Sequence, residues 1–372
     1  MRPTWVEVDT SAIESNFALV RKALPVQAKA MAVVKADGYG HGAVPVALAA
    51  IEAGAEFLGV ALVEEGIALR RAGIICPILY MEAMFPWQAI DIVRFGITAT
   101  VTSHRCADML EKAATQLRRR ARVHIKVDTG MGRLGLAPAD IPGLADYVAK
   151  QPHLELEGVF THLACAECDP DMTSRQLSQF ADLIDLLRRK GYNVPLAHVA
   201  NSVAAMSIPE AAFDMVRVGG VMYGLSPAGT TPPDDSFKPA LSFHTRVSFV
   251  KTSCAGATIS YGATYKCSRK EMVVTLPVGY ADGYSRALSG KGQVLIGGER
   301  RPIAGRVCMD QTMIALPQDY DVHEGDEVVL IGKQGGERIL AEEIAAMIGT
   351  IGYEVVCSIS KRVPRVYVRN QT

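Results

Sequence analysis

The chain has 372 residues, 49% of them hydrophobic and 21% charged, with a formal net charge of zero. That size and composition describe an ordinary soluble globular protein with room for two domains. The balanced charge excludes a general nucleic-acid surface, which needs a basic excess, and no apolar run is long enough to span a bilayer.

The opening run Thr4–Val8 is expected to join a sheet formed further along the chain. Short β-rich runs then alternate with amphipathic stretches. Strands are expected near Met31–Val34, Phe57–Val60, Pro77–Tyr80, Ile97–Val101, Val123–Val127, Leu156–Thr161, Leu196–Ala200 and Met215–Val218. Between them lie helical stretches such as Val46–Ala53, Glu64–Ala72, His104–Arg119 with Ser103 as N-cap, and Thr173–Lys190. Eight such units are what a (β/α)8 barrel of the TIM type requires. The composition shifts at Gly229–Pro239, whose paired prolines and aspartates read as a linker. Beyond it come Val247–Val250, Met272–Leu276, Val294–Ile296, Thr312–Ala315, Glu327–Ile331 and Val363–Val368, interrupted by a helix near Ala341–Ile348. The expected architecture is α/β, with a barrel domain in residues 1–232 and a mostly-β domain in residues 233–372.

The opening residues MRPTWVEVDT carry no signal-peptide core, and the eight cysteines are scattered, so reduced thiols in a cytoplasmic protein are expected. Cys165 and Cys168 form a C-x-x-C without the second pair that a zinc site wants. The expectation there is a loop with two free thiols and no metal.

The eleven residues Ala32–Gly42, AVVKADGYGHG, carry the strongest chemical signal. A lysine leaving a buried strand can be desolvated, which lowers its pKa and frees its amine as a nucleophile. Glycines beside it let a backbone approach a ligand. The combination suits a Schiff base to an aldehyde cofactor such as pyridoxal phosphate, although strand-end lysines are more often simply solvated. In a barrel, functional groups gather where strands end. Lys35 follows strand 1, Arg133 follows strand 5, His162 ends strand 6, and Asn201 and Ser202 follow strand 7. Arg217 lies in strand 8, ahead of Gly219 and Gly220. The Ser202 hydroxyl and the two glycine amides suit a phosphate, since no Cβ obstructs the approach. Each alone has a plainer reading: His162 as a core histidine, Arg133 as a solvated cation, Arg217 as half of an ion pair, the glycines as a turn. Their convergence on one face favours a site.

These residues fall in stretches that resemble bacterial alanine racemases over essentially the whole chain. The stretches are AVVKADGYGHG, KVDTGMGRLG (Lys126–Gly135), THLA (Thr161–Ala164), HVANS (His198–Ser202), VRVGGVMYGL (Val216–Leu225), ISYGATY (Ile259–Tyr265), GYADGYSR (Gly279–Arg286), GRVCMDQ (Gly305–Gln311) and GYEVVCSISKRVPR (Gly352–Arg365), in that order. The resemblance implies a barrel followed by a β domain, a pyridoxal 5′-phosphate cofactor, and a homodimer whose active sites are completed across the interface. It also implies interconversion of L-alanine and D-alanine, the latter for the cell wall. On this sequence it implies that Lys35 holds the cofactor, that Tyr39, Ser202, Tyr353 and the amides of Gly219 and Gly220 bind its phosphate, and that His162 lies against the ring. Arg217 would face the pyridine nitrogen. Arg133 and the backbone at Met309 would hold the substrate carboxylate, Tyr261 of a partner subunit would be the second catalytic group with Asp310 nearby, and His198 and Asn201 would support the site. In some relatives the lysine matching Lys126 carries a carbamate that steadies the arginine matching Arg133. Gly220 departs from the family, which more often has a β-branched residue there; only its amide is needed.

Racemisation removes a proton from one face of Cα and returns it to the other, a task for two groups such as Lys35 and Tyr261. A tyrosine starts near pKa ~10 and must be depressed to act as a base near neutrality. His162 and Arg217, as cations in one network, are expected to do this. Arg217 can only donate to a ring nitrogen, which leaves a weaker electron sink than a carboxylate would and disfavours transamination. Tyr261 and Tyr353 crowd the side-chain side of Cα and favour alanine over serine. Tyr280, Tyr284 and Arg286 are candidates for the entrance. The competing readings are a broader or serine-preferring racemase, a decarboxylase of the same two-domain type, and a cofactor-binding barrel without catalysis. The Glu-Pro-Gly-Arg stretch of those decarboxylases is missing, and the β domain with ISYGATY argues against a barrel alone.

Overall fold

The computed structural model describes residues 2–226 and 236–369. The chain forms two compact units. One comprises residues 13–38 and 43–222; the other comprises residues up to 12, residues 39–42 and those from 223 onward.

In the first unit eight parallel strands lie in the order Leu196–His198, Leu154–Phe160, Ala121–Lys126, Thr98–Val101, Ile78–Tyr80, Phe57–Val60, Lys29–Val33, Met215–Val218. Backbone bonds from Asp214 N to Ala197 O (3.0 Å) and from Arg217 N to Ala200 O (3.1 Å) tie the two end strands together, which closes the barrel. These are the eight expected strands, each within two residues of the expected bounds. Most of their residues are buried, so the apolar run is nearly continuous instead of alternating. Met31, Phe57, Leu79, Leu196 and Met215 form one core cluster from five of the strands. Among the helices are Ala43–Glu52, Val63–Arg71, His104–Leu117 and Pro170–Arg189. Ser103 caps the third as expected, its hydroxyl accepting from Cys106 N at 3.2 Å. The fourth begins earlier than its apolar pattern, because Asp169 accepts from Met172 N at 2.8 Å and Pro170 occupies the first position, where no intrahelical N–H bond is lost.

The second unit holds a seven-stranded sheet in the order Glu299–Pro302, Gln293–Ile296, Glu327–Gln334, Leu241–Arg246, Trp5–Asp9, Arg365–Val368, with Glu337–Ile339 also paired to Glu327–Gln334. Trp5–Asp9 runs antiparallel to Leu241–Arg246 and parallel to Arg365–Val368, so the opening run joins this sheet as expected. A three-stranded sheet joins Phe249–Ser253, Glu271–Leu276 and Thr312–Leu316, and a short hairpin pairs Thr258–Ile259 with Tyr265–Lys266. The single strand expected at Val247–Val250 is corrected. The chain leaves the large sheet after Arg246 and enters the smaller one at Phe249, which pairs with Thr275. No glycine or proline marks that switch, and the pattern hides it. The helix Ala341–Ile348 forms as expected, and a further one, Gly352–Cys357, carries Tyr353. Most of the expected linker Gly229–Pro239 lies outside the described residues. No helix among the described residues is long and apolar enough to cross a membrane.

Candidate active site

Lys35 stands directly after the first barrel strand, and the backbone beyond it winds left-handed. Ala36, Asp37 and Gly38 have φ of 53°, 54° and 60°. Such a conformation costs about 1–2 kcal/mol for each residue with a side chain, so it must be held. Ala36 N donates to Glu65 Oε1 at 2.6 Å, Ala43 N to Asp37 Oδ1 at 2.9 Å, and Gly38 N to Val34 O at 2.9 Å. Glu65 Oε2 also accepts from Ala61 N (2.9 Å) and Leu62 N (3.0 Å). Glu65 thus splints the turn bearing Lys35 to the start of the next helix. Sequence reasoning did not single it out, although an acid at the third helical position is a capping signal.

The last strand completes the same mouth. Arg217 lies beside Met31 of the Lys35 strand. Asn201 caps the helix Ser202–Ser207, its Oδ1 accepting from Ala204 N at 3.0 Å. The buried Ser202 hydroxyl accepts from Gly219 N at 2.8 Å, and its own O–H remains a donor.

Arg217 is the hub of a buried network. Nη1 donates to His198 Nδ1 at 2.8 Å; Nη2 donates to Thr161 O and Val199 O, both at 2.8 Å, and to His162 Nδ1 at 3.2 Å. At least one of its five N–H groups stays uncommitted among the described residues. Beyond it, His198 Nε2 meets His124 Nδ1 at 2.8 Å, and His124 Nε2 meets Glu157 Oε2 at 3.2 Å. A guanidinium only donates, so His198 Nδ1 accepts and His198 Nε2–H donates onward. His124 likewise accepts at Nδ1 and donates from Nε2 to Glu157. Burial, reinforced by Arg217, holds His198 well below the usual imidazole range, and burial also lowers His124. Gly158 makes room, since a Cβ there would lie 2.8 Å from the His124 ring. His124 and Glu157 were missed from sequence because their partners lie on other strands.

His162 corrects one expectation. Burial, followed by Arg217, Lys126, Arg133 and Lys35, pushes its pKa down to about 2. It is neutral and cannot serve as a cation; with Nδ1 accepting from Arg217, its Nε2 carries the proton. Arg217 itself is pulled down to about 9, chiefly by burial, and stays charged at neutral pH. Lys126 is buried with its ammonium 4.9 Å from the Phe160 ring centroid. Burial, then Arg217 and Arg133, lower its pKa to about 7. Arg133 is exposed, on a loop shaped by Asp128, whose Oδ1 accepts from Gly130 N (2.9 Å) and Gly132 N (3.1 Å).

Cys165 and Cys168, expected as free thiols, are instead joined in a disulfide. A tight turn, with Cys168 N bonded to Cys165 O at 3.1 Å, brings their Cα atoms to 5.2 Å, inside the range the bond needs.

In the β unit, Tyr39 stacks on Tyr223 at 4.8 Å and meets Tyr353 edge-on at 5.8 Å. Burial, then Tyr353 and Cys357, push the Tyr39 hydroxyl well above the usual tyrosine range, so it remains a donor. Tyr261 occupies the tip of the short hairpin and is 74% exposed in the single chain. The tip is anchored: Ser260 Oγ donates to Arg306 O at 2.7 Å, and a Cβ on Gly305 would sit 2.7 Å from Ile259 O. Met309 is also exposed, its carbonyl accepting from Ala281 N at 3.0 Å, and Asp310 pairs with Arg362 at 2.6 Å. Tyr280 and Arg286 are exposed, but Tyr284 is corrected. It is buried against Phe243, its hydroxyl reaching Gln293 O at 3.5 Å, so it is core and not entrance.

Two family models match this chain: the alanine racemase N-terminal domain over residues 8–227 and the alanine racemase C-terminal domain over residues 240–367. The chain is 50% identical over 368 residues to alanine racemase from Symbiobacterium thermophilum, which covers 99% of this chain and 97% of that one. It is 45% identical to alanine racemase from Carboxydothermus hydrogenoformans, covering 99% and 100% of the two. Among solved structures, an alanine racemase from Clostridium difficile superposes with a TM-score of 0.94 at 38% identity, covering 100% of this chain and 97% of that one. An alanine racemase from Bacillus anthracis with bound L-Ala-P gives 0.94 at 41% identity, covering 100% and 96%. Both family models, which together span most of the chain, and full-length relatives at up to 50% identity show that the chain belongs to the alanine racemase family.

Proposed function

We propose that this chain interconverts L-alanine and D-alanine with pyridoxal 5′-phosphate, as a cytoplasmic homodimer that supplies D-alanine for peptidoglycan. The observation that carries the reading is the Arg217 hub, buried at a barrel mouth between the Lys35 strand and the Ser202–Gly219 pair. The donor set fits the cofactor: a Ser202 O–H, positioned by the Gly219 amide, and the Gly220 amide for a phosphate, an uncommitted Arg217 N–H for a ring nitrogen, and the Lys35 amine for an aldehyde. Bound, the cofactor supplies an electron sink that acidifies the Cα proton of the amino acid it carries.

The chain supplies the rest. Lys35 Nζ and Tyr261 Oη of the second copy carry protons on opposite faces of Cα. Neutral His162 offers its Nε2–H as a hydrogen-bond donor and supplies no positive charge. Tyr39 and Tyr353 add hydroxyl donors for the phosphate. Arg133 and the Met309 amide hold the substrate carboxylate, with Asp310, His198 and Asn201 in support. The assay is chiral conversion of L-alanine with added cofactor beside a Lys35→Ala control. Carbon dioxide release from lysine, ornithine or diaminopimelate, without racemisation, would replace this reading with a decarboxylase.

Arg217 governs the choice of reaction. It donates and cannot accept, so beside a cofactor's ring nitrogen it would hold that nitrogen without protonating it and would leave a weak electron sink. Arg217→Glu is therefore expected to raise the pyruvate formed per racemisation event by at least about tenfold, which is about 1.4 kcal/mol of changed partitioning. Unchanged partitioning, measured by coupled pyruvate detection, would count against this role.

Lys126 yields a pH prediction. Its folded pKa, about 7, lies below the ordinary lysine value of 10.5. The buried ammonium is therefore a destabilising term that is fully present below about pH 7 and vanishes as pH rises past the unfolded value. Lys126→Met is expected to flatten the rise of Tm between about pH 7 and 10. The neutral amine can also add CO2, releasing one proton and leaving a carbamate beside Arg133. Native intact mass is expected to show a gain of one CO2, lost on acidification; an unmodified Lys126 under bicarbonate rejects the carbamate.

A further inference from the structure

The disulfide lies in the stretch that leads from His162 into the helix Pro170–Arg189. Cys168 is exposed and Cys165 half-buried, so a thiol in solution reaches the second sulfur. The turn is gathered on one carbonyl: Cys165 O accepts from Cys168 N (3.1 Å), Asp169 N (3.0 Å) and Thr173 Oγ1 (3.1 Å). Further along the helix the buried Gln176 reaches back to the site. Its Oε1 accepts from Ala164 N at 2.9 Å, and its Nε2 donates to His162 O at 3.1 Å and to Thr129 Oγ1 at 3.2 Å. Thr129 also bonds Thr161 at 2.9 Å and opens the loop that carries Arg133. The segment after His162 is therefore braced twice, by Gln176 at one end and by the closed C-x-x-C turn at the other.

We propose that Cys165 and Cys168 form a reversible thiol–disulfide modification site for low-molecular-weight thiols of the glutathione class, and that its oxidised form holds His162 and the Arg133 loop in place for substrate. In the reductive direction a thiolate attacks Cys168 Sγ, the Sγ–Sγ bond breaks, and Cys165 leaves as a thiolate that takes up a proton. A second thiol then attacks the mixed disulfide, releasing the oxidised small thiol and a free Cys168. Two electrons and two protons reach the protein, and two small thiols become one disulfide. Reduction removes the covalent brace on the turn, and His162 and the Arg133 loop are then ordered by hydrogen bonds alone, from Gln176, Arg217 and Asp128. The exchange is independent of the function proposed above; its kinetic consequence rests on that function.

The test equilibrates the holoenzyme in glutathione buffers from reducing to oxidising, quenches with acid, alkylates, and reads the peptide containing both cysteines by mass. Two alkyl groups are expected under reducing conditions and none under oxidising ones, with the same midpoint reached from either side. In the same buffers the KM for alanine is expected to rise about threefold on reduction, with kcat changed less than about twofold. Cys168→Ser is expected to abolish this redox dependence while keeping the activity of the reduced protein. Two alkyl groups under oxidising conditions would overturn the site. A KM that ignores the buffer would overturn its coupling to His162. Switching of the alkylation pattern in a protein that racemises nothing would leave the site standing and refute the activity.

Discussion

Lys35→Ala is expected to lower kcat/KM for alanine by ~10⁴-fold in both directions, with the fold intact. The variant loses the amine that tethers the cofactor and one of the two proton carriers. A positioned acid–base group alone contributes ~10²–10⁴, and 10⁴ corresponds to about 5.4 kcal/mol of transition-state stabilisation. The Lys35 side chain makes no hydrogen bond or ion pair among the described residues, and its left-handed turn is held by Glu65 and Asp37. Thermal denaturation is therefore expected to move by no more than about 2 °C. Borohydride treatment is expected to fix the cofactor to the unaltered chain at Lys35 and to leave the variant unlabelled. Label retained in the variant, or activity within tenfold of the parent, refutes the role.

Tyr261→Phe keeps the ring and removes only the oxygen. Racemisation is expected to fall ~10³-fold, within the range of one acid–base group. The loss is asymmetric at the level of proton exchange. In deuterated water one enantiomer of alanine is expected to go on exchanging its Cα proton through Lys35 without inversion, while the other stops. Equal loss for both enantiomers refutes a two-carrier scheme. Mixing the two variants tests whether the sites are shared. If Tyr261 serves a partner's Lys35, redistributed dimers of Lys35→Ala with Tyr261→Phe contain one whole site in each heterodimer. Activity should return to about a quarter of the parent, since half the dimers are mixed and half of their sites are whole. No recovery after verified subunit exchange places both groups in one chain.

The barrel strands could be read from sequence because each is a short apolar run bounded by turn residues, a signal contained in a few neighbouring positions. Lys35, His162, Ser202 and Arg217 were legible for the same reason: they stand where those runs end or are interrupted by charge. The strand switch at Val247 and Ser248 was not legible, because no glycine or proline punctuates the chain there and only the pairing of Phe249 with Thr275 separates the two sheets. Tyr284 looked like an entrance residue beside Tyr280, and only its contact with Phe243 makes it core.

The sequence by itself determined the two-unit architecture, the order of the elements and which polar side chains stand at the strand ends of the barrel, since local periodicity and residue chemistry encode them. The tertiary structure decided the neutral state of His162, the lowered pKa of Lys126, the directed chain from Arg217 to Glu157, the Glu65 splint and the Cys165–Cys168 bond. Ionisation and hydrogen-bond direction depend on how much water a group loses and on which partners face it. Most of those partners lie tens of residues away along the chain, and they meet only when the barrel closes.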